Sequence, residues 1–109
     1  MNLSETHPGG LLRDCVLPAL GLSVSQAARD LQITRQSLHR ILAGQAVISP
    51  DMAVRLEKLC GVPSQFWLSK QQSHELIRVR KANRQLLPLI PSHKLPANVL
   101  DLIGARNVR

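Results

Sequence analysis

Ser23-Val24-Ser25-Gln26-Ala27-Ala28-Arg29-Asp30-Leu31-Gln32-Ile33-Thr34-Arg35-Gln36-Ser37-Leu38-His39-Arg40-Ile41-Leu42 holds two short helices and the joint between them. Ser23 suits an N-cap, and Gln26 stands three residues later, the spacing of a capping box. Ala27, Ala28 and Leu31 then face inward, and the adjacent alanines leave room for another helix to pack very close. Gln32-Ile33-Thr34 reads as a three-residue turn, Thr34 as the cap of a second helix from Arg35 to Leu42, and Gly44 as its terminator. Advancing about 100° per residue from Arg35 puts Arg35, Gln36, His39, Arg40 and Ala43 in an arc of about 0–140°, with Leu38, Ile41 and Leu42 opposite at about 240–340°. No acid occurs from Leu31 to Pro50. One face is aliphatic; the other offers cations and amides.

Working outward, the same helical spacing recurs and no alternating strand pattern is found, so the class is all-α. Upstream, Pro8 opens a helix over residues 8–17 with a stripe of Leu11, Leu12, Cys15 and Val16, and Pro18 and Gly21 break the chain before Leu22. Downstream, Ser49 caps a fourth helix, Pro50 fits its first turn and Asp51 complements its positive end. Met52, Ala53, Leu56, Leu59 and Cys60 form its core stripe, and Gly61 ends it. A fifth helix begins near Pro63 or Ser64, is anchored in the core by Phe66 and Trp67, continues through Leu76, Ile77 and Val79, and runs toward Arg80. Beyond Leu87, Pro88, Pro91 and Pro96 forbid a long helix, leaving room for a short one from Ala97 to about Ile103. The expected organisation is a five-helix domain over 1–85 and a basic, proline-interrupted extension over 86–109.

The chain of 109 residues is 44% hydrophobic, sufficient for one modest core. Fourteen Lys and Arg against seven Asp and Glu give +7, of which residues 71–109 carry +5 (seven basic, two acidic). That excess suits a polyanionic partner, although charge alone does not prove one. Phe66 and Trp67 are the only aromatics and Tyr is absent, which argues against a platform for stacking single-stranded bases. The two cysteines, Cys15 and Cys60, are too few for a disulfide framework and read as reduced core thiols. The four histidines are scattered with no finger-like Cys spacing, so no metal or other cofactor is expected. No apolar run reaches a membrane span, and Met1-Asn2-Leu3-Ser4-Glu5 lacks the pattern of a leader, so a cytoplasmic location is expected. No Gly-rich phosphate loop, GxSxG or HExxH is present, and an enzyme is not expected.

Two helices joined by a tight turn, the second with an exposed cationic face, make a helix-turn-helix. Ala28 permits the close crossing, while Leu31, Ile33, Leu38 and Ile41 hold the second helix from beneath. Arg and Gln pair bidentately with guanine and adenine edges, and the major groove of B-DNA admits one α-helix. Arg35, Gln36, His39 and Arg40 are therefore candidates for base reading in double-stranded DNA.

His7-Pro8-Gly9, Leu20-Gly21-Leu22-Ser23, Leu42-Ala43-Gly44 and Phe66-Trp67-Leu68 occur in that order around the helix-turn-helix. Together they resemble the HigA branch of the Cro/repressor helix-turn-helix family, the antitoxins of HigB–HigA toxin–antitoxin modules, over roughly residues 7–80. The resemblance implies a lambda-repressor-like domain, a homodimer on a palindromic operator, repression of its own operon, and a HigB-like toxin partner, an mRNA endonuclease that it neutralises. It also implies that Thr34, Arg35, Gln36, Ser37, His39 and Arg40 fill the recognition-helix slots and that Gln26 sits where a phosphate is met. Gln32 stands where the family's turn commonly has Gly; a left-handed residue there costs a non-glycine about 1–2 kcal/mol.

Some readings stay open at this level. Arg78, Arg80, Lys81 and Arg84 either touch phosphates beside the groove or form a solvated helix end suited to its dipole. Phe66 and Trp67 could instead form a partner patch. His7 stabilises the start of the first helix, and His39, with an unperturbed value near about 6.5, could tie binding to pH. The alternatives to an antitoxin are an orphan regulator without a toxin and a protein-interaction module that binds no DNA.

Overall fold

The computed structural model describes residues 7–106 and is helical throughout, with no strand among them. The opening Met1–Glu5 and the last cation, Arg109, lie outside the described residues. Helix α1 is three joined segments: Pro8–Leu11, a wide π-helical turn Leu12–Val16, and Leu17–Leu20. It is followed by α2 (Val24–Leu31), α3 (Arg35–Leu42), α4 (Pro50–Cys60) and α5 (Ser64–Ala82). A 3₁₀ turn (Leu87–Leu89) and the short α6 (Ala97–Leu102) complete the elements among the described residues. The all-α, five-helix expectation holds, and one core gathers Leu12, Ala27, Ala28, Leu31, Leu38, Ile41, Met52, Leu56 and Trp67.

The caps follow the sequence. Ser23, Thr34 and Ser49 each accept a backbone N–H three residues on, from Gln26, Ser37 and Met52. The reciprocal half of the first capping box does not form: the Gln26 amide turns forward to Asp30 and Arg29. Pro63 gives α5 no side-chain cap, and Glu57 supplies one by accepting the Ser64 N–H at 2.7 Å.

Helix α1 corrects the sequence reading. Pro18 does not break it; the helix runs on to Leu20 and stops at Gly21, which is left-handed at φ 65°. The Leu17 N–H reaches back five residues to the Leu12 carbonyl, and this wider turn lets Pro18 start the last turn, where its missing N–H is tolerated. The extra residue also rotates the stripe. Leu12 and Leu17 are buried, whereas Cys15, expected inside, is exposed. Cys60 is only half-buried, its Sγ–H donating to the Leu56 carbonyl. In α5, Trp67 is buried at 1% exposure but Phe66 is 40% exposed beneath the Lys70 ammonium, so only one of the two aromatics anchors the core. Leu76 and Val79 are exposed as well, because the second half of α5 projects past the helices that cover its start.

Candidate nucleic-acid interface

Helix α3 is held from beneath and from both ends. Leu38, Ile41 and Leu42 are buried, while Arg35, Gln36, Ser37, His39 and Arg40 are exposed on the other side. At its start, Thr34 Oγ1 accepts the Ser37 N–H at 3.0 Å and donates to Ser37 Oγ at 2.7 Å, so these two side chains are engaged in the cap. At its far end, Arg13 of α1 donates to the Leu42 carbonyl at 3.2 Å while its Nε and Nη2 grip Asp14. Gly9 lies against the same end: a Cβ there would stand 1.9 Å from the Ile41 carbonyl oxygen, so the close approach of α1 to α3 requires glycine.

The turn between α2 and α3 takes the left-handed form expected of it. Gln32 has φ 62°, a positive value carried by no other non-glycine among the described residues. Arg55 of α4 donates from Nη1 to the carbonyls of Leu31 (2.8 Å) and Gln32 (3.1 Å), while its Nε is fixed by Asp51. Two carbonyls left without partners at the end of α2 are thus satisfied by one charged fork. The sequence around Arg55 does not signal this reach across the fold, whose partners lie 23 and 24 residues away.

Past α3, the loop over residues 43–48 is pinned on two sides. Gln71, buried on α5, accepts the Ile48 N–H at Oε1 (2.9 Å) and donates from Nε2 to Glu75 (3.1 Å). His7 accepts the Gly9 N–H at Nδ1 (2.9 Å), packs edge-on to His74 with ring centroids 5.0 Å apart, and lines one groove with Gly44 and Ala46. Burial, then the nearby His74, holds the His7 imidazole below its usual value. The Arg78 guanidinium, hydrogen-bonded to Glu75, is the main cause holding that carboxyl below the carboxylate range.

Of the sequence candidates, Arg35, Gln36, His39 and Arg40 share one exposed face of one helix, with Thr34 and Ser37 at its start. Gln26 stands apart on α2, half-buried, its Oε1 accepting from Arg29 (2.8 Å) and its Nε2 donating to Asp30 (2.7 Å). Among the described residues no cluster of His, Cys, Asp and Glu could hold a metal ion, and no helix is long and apolar enough to cross a membrane.

This fold and this face define a helix-turn-helix domain. The Helix-turn-helix family model matches residues 12–67, and the chain belongs to that family. Virulence-associated protein A of Dichelobacter nodosus is 39% identical over 74 residues, 67% of this chain and 72% of that protein. The solved Pseudomonas aeruginosa antitoxin HigA with the higBA promoter is 31% identical with a TM-score of 0.76, covering 84% of this chain and 99% of that one. An addiction module antidote protein of the HigA family from Coxiella burnetii is 27% identical with a TM-score of 0.75, covering 83% and 98%.

Proposed function

We propose that this chain is the antitoxin and autorepressor of a HigB–HigA module: a homodimer that binds a palindromic operator in double-stranded DNA, represses its own operon and neutralises a HigB-like mRNA endonuclease. The observation that carries it is the α3 surface, where Arg35, Gln36, His39 and Arg40 face outward over buried Leu38, Ile41 and Leu42. The likeness to an antitoxin solved with its promoter supports the same reading. Arg35, Gln36, His39 and Arg40 read base edges; Thr34 and Ser37 approach the backbone at the start of α3, and Gln26 meets a phosphate with its second amide N–H. Residues 1–85 form the DNA-binding unit and 86–109 an extension. The work is done in the cytoplasm, where the operator is, and involves no catalytic step and no cofactor.

The direct test is titration of the duplex upstream of the gene against a scrambled duplex. Arg35→Ala should weaken operator binding by about 1–3 kcal/mol and relax the preference at one base pair. Equal losses on both duplexes would reassign Arg35 to a phosphate. Co-purification with the product of the neighbouring reading frame tests the toxin; if that partner binds and no duplex does, the chain is an interaction module instead.

A further inference from the structure

A recognition helix about 10–12 Å across fills a major groove about 12 Å wide, so the two phosphate strands must pass along its flanks. On α3 the exposed face runs out at Ala43 into the loop 43–48. That loop forms one wall of an open groove of about 360 Å³, in which Gly44, Gln45 and Val47 face Arg78 of α5. An adjoining hollow is lined by His74, Ile77, Arg78 and Lys81. Arg78 and Lys81, three residues apart on one helix, therefore share a side, Arg78 facing the loop that follows the recognition helix and Lys81 lying one turn further along α5.

Arg78 is not a loose surface cation. A chain of hydrogen bonds registers it to the loop: Ile48 N–H to Gln71 Oε1 (2.9 Å), Gln71 Nε2 to Glu75 Oε1 (3.1 Å), and Arg78 Nη2 to Glu75 Oε2 (2.6 Å). The middle member, Gln71, is 6% exposed, which ties this relay to the core. One of five guanidinium N–H groups is used on Glu75, and the rest of the fork remains at an exposed position.

We propose that Arg78 and Lys81 form a second, sequence-independent DNA contact, holding backbone phosphates along the flank of the groove next to the 43–48 loop. This rests on the operator-binding reading and extends it from the recognition helix to α5. The relay fixes the distance between a base-reading surface and a phosphate-holding one, so that both engage in one docking geometry. Arg80, 200° around α5 from Arg78, faces elsewhere and takes no part.

The test is the salt dependence of binding to operator and to scrambled duplex for the full chain, Arg78→Gln/Lys81→Gln, and Arg80→Gln. Each phosphate contact contributes about 0.9 to the logarithmic slope, so the double variant should lose about 1.8 per bound subunit on both duplexes. Between 50 and 200 mM salt the wild type should then lose about twelvefold more affinity per bound subunit than the double variant, or about 150-fold for a homodimer. Preference for operator over scrambled DNA should be retained, and Arg80→Gln should keep the wild-type slope. All three side chains are exposed, and matching thermal melts establish that the variants are folded. An unchanged slope in the double variant, with specific binding intact, overturns this inference alone. A slope lowered per charge equally by Arg80→Gln overturns it in favour of diffuse charge. Absence of any DNA binding by the wild type overturns the operator reading as well.

Discussion

Gln32 carries a conformation that glycine adopts without strain, at the joint on which the orientation of α3 depends. Gln32→Gly should stabilise the chain by about 0.5–1 kcal/mol, the relief of left-handed strain less the added freedom of the unfolded chain. Urea unfolding measures this, and a loss would mean that the Gln32 side chain packs usefully. Arg55 offsets the strain from outside the turn by binding its carbonyls. Gly9 is the opposite case: its backbone is ordinary helix, and the constraint is the Ile41 carbonyl above it. Gly9→Ala must push α1 away from α3 and should cost about 2–3 kcal/mol in the same assay. The contacts that Arg55 makes with the α2–α3 turn and Gly9 with the end of α3 are not legible in neighbouring residues, because their partners lie 23 to 32 residues away along the chain.

At the scale of the element, α1 shows how a periodicity reading fails. The stripe through Leu11, Leu12, Cys15 and Val16 assumed uniform α geometry, and a single π turn moved Cys15 out and Leu17 in. Pro18, a helix breaker by sequence, is accommodated by that same turn. The start of α1 also carries a pH dependence. His7 accepts the Gly9 N–H only when Nδ1 is unprotonated, and its folded value lies below 6.5. The unfolded chain therefore binds the proton more tightly, so this contribution to stability is complete above about pH 6.5 and is lost as pH falls through the lowered folded value. Thermal melts from pH 8 to pH 5 should show a steeper loss for the wild type than for His7→Asn, which can still cap but does not titrate. Identical pH profiles would remove His7 from the account. By contrast α2, α3 and α4 follow the sequence closely, since each has an oxygen cap at its start and a regular apolar stripe.

For the whole molecule, the proposed homodimer must set two α3 helices about 34–36 Å apart to enter successive major grooves. The proposed pairing surface is the half of α5 and the segment beyond it that the core does not use. Leu76, Val79, Leu86, Leu89, Ile90, Leu102 and Ile103 are all exposed there. A chain ending at Gln85 should shift toward monomer in size-exclusion with light scattering and bind operator more weakly; an undiminished dimer would place the contact on the helices before it.

The sequence by itself determined the helices, most of their ends, and the cation and amide row of α3 above its aliphatic stripe. Caps and stripes are written in residues three to eight apart, within reach of one another on any single helix. Only the tertiary structure decided which side chains hold that row in place: Arg55 on the turn, Arg13 on the end of α3, and Gln71 on the loop beyond. It also decided that Cys15 and Phe66 face outward. Those outcomes depend on where separate helices cross, a property of the packed core as a whole rather than of any local run of residues.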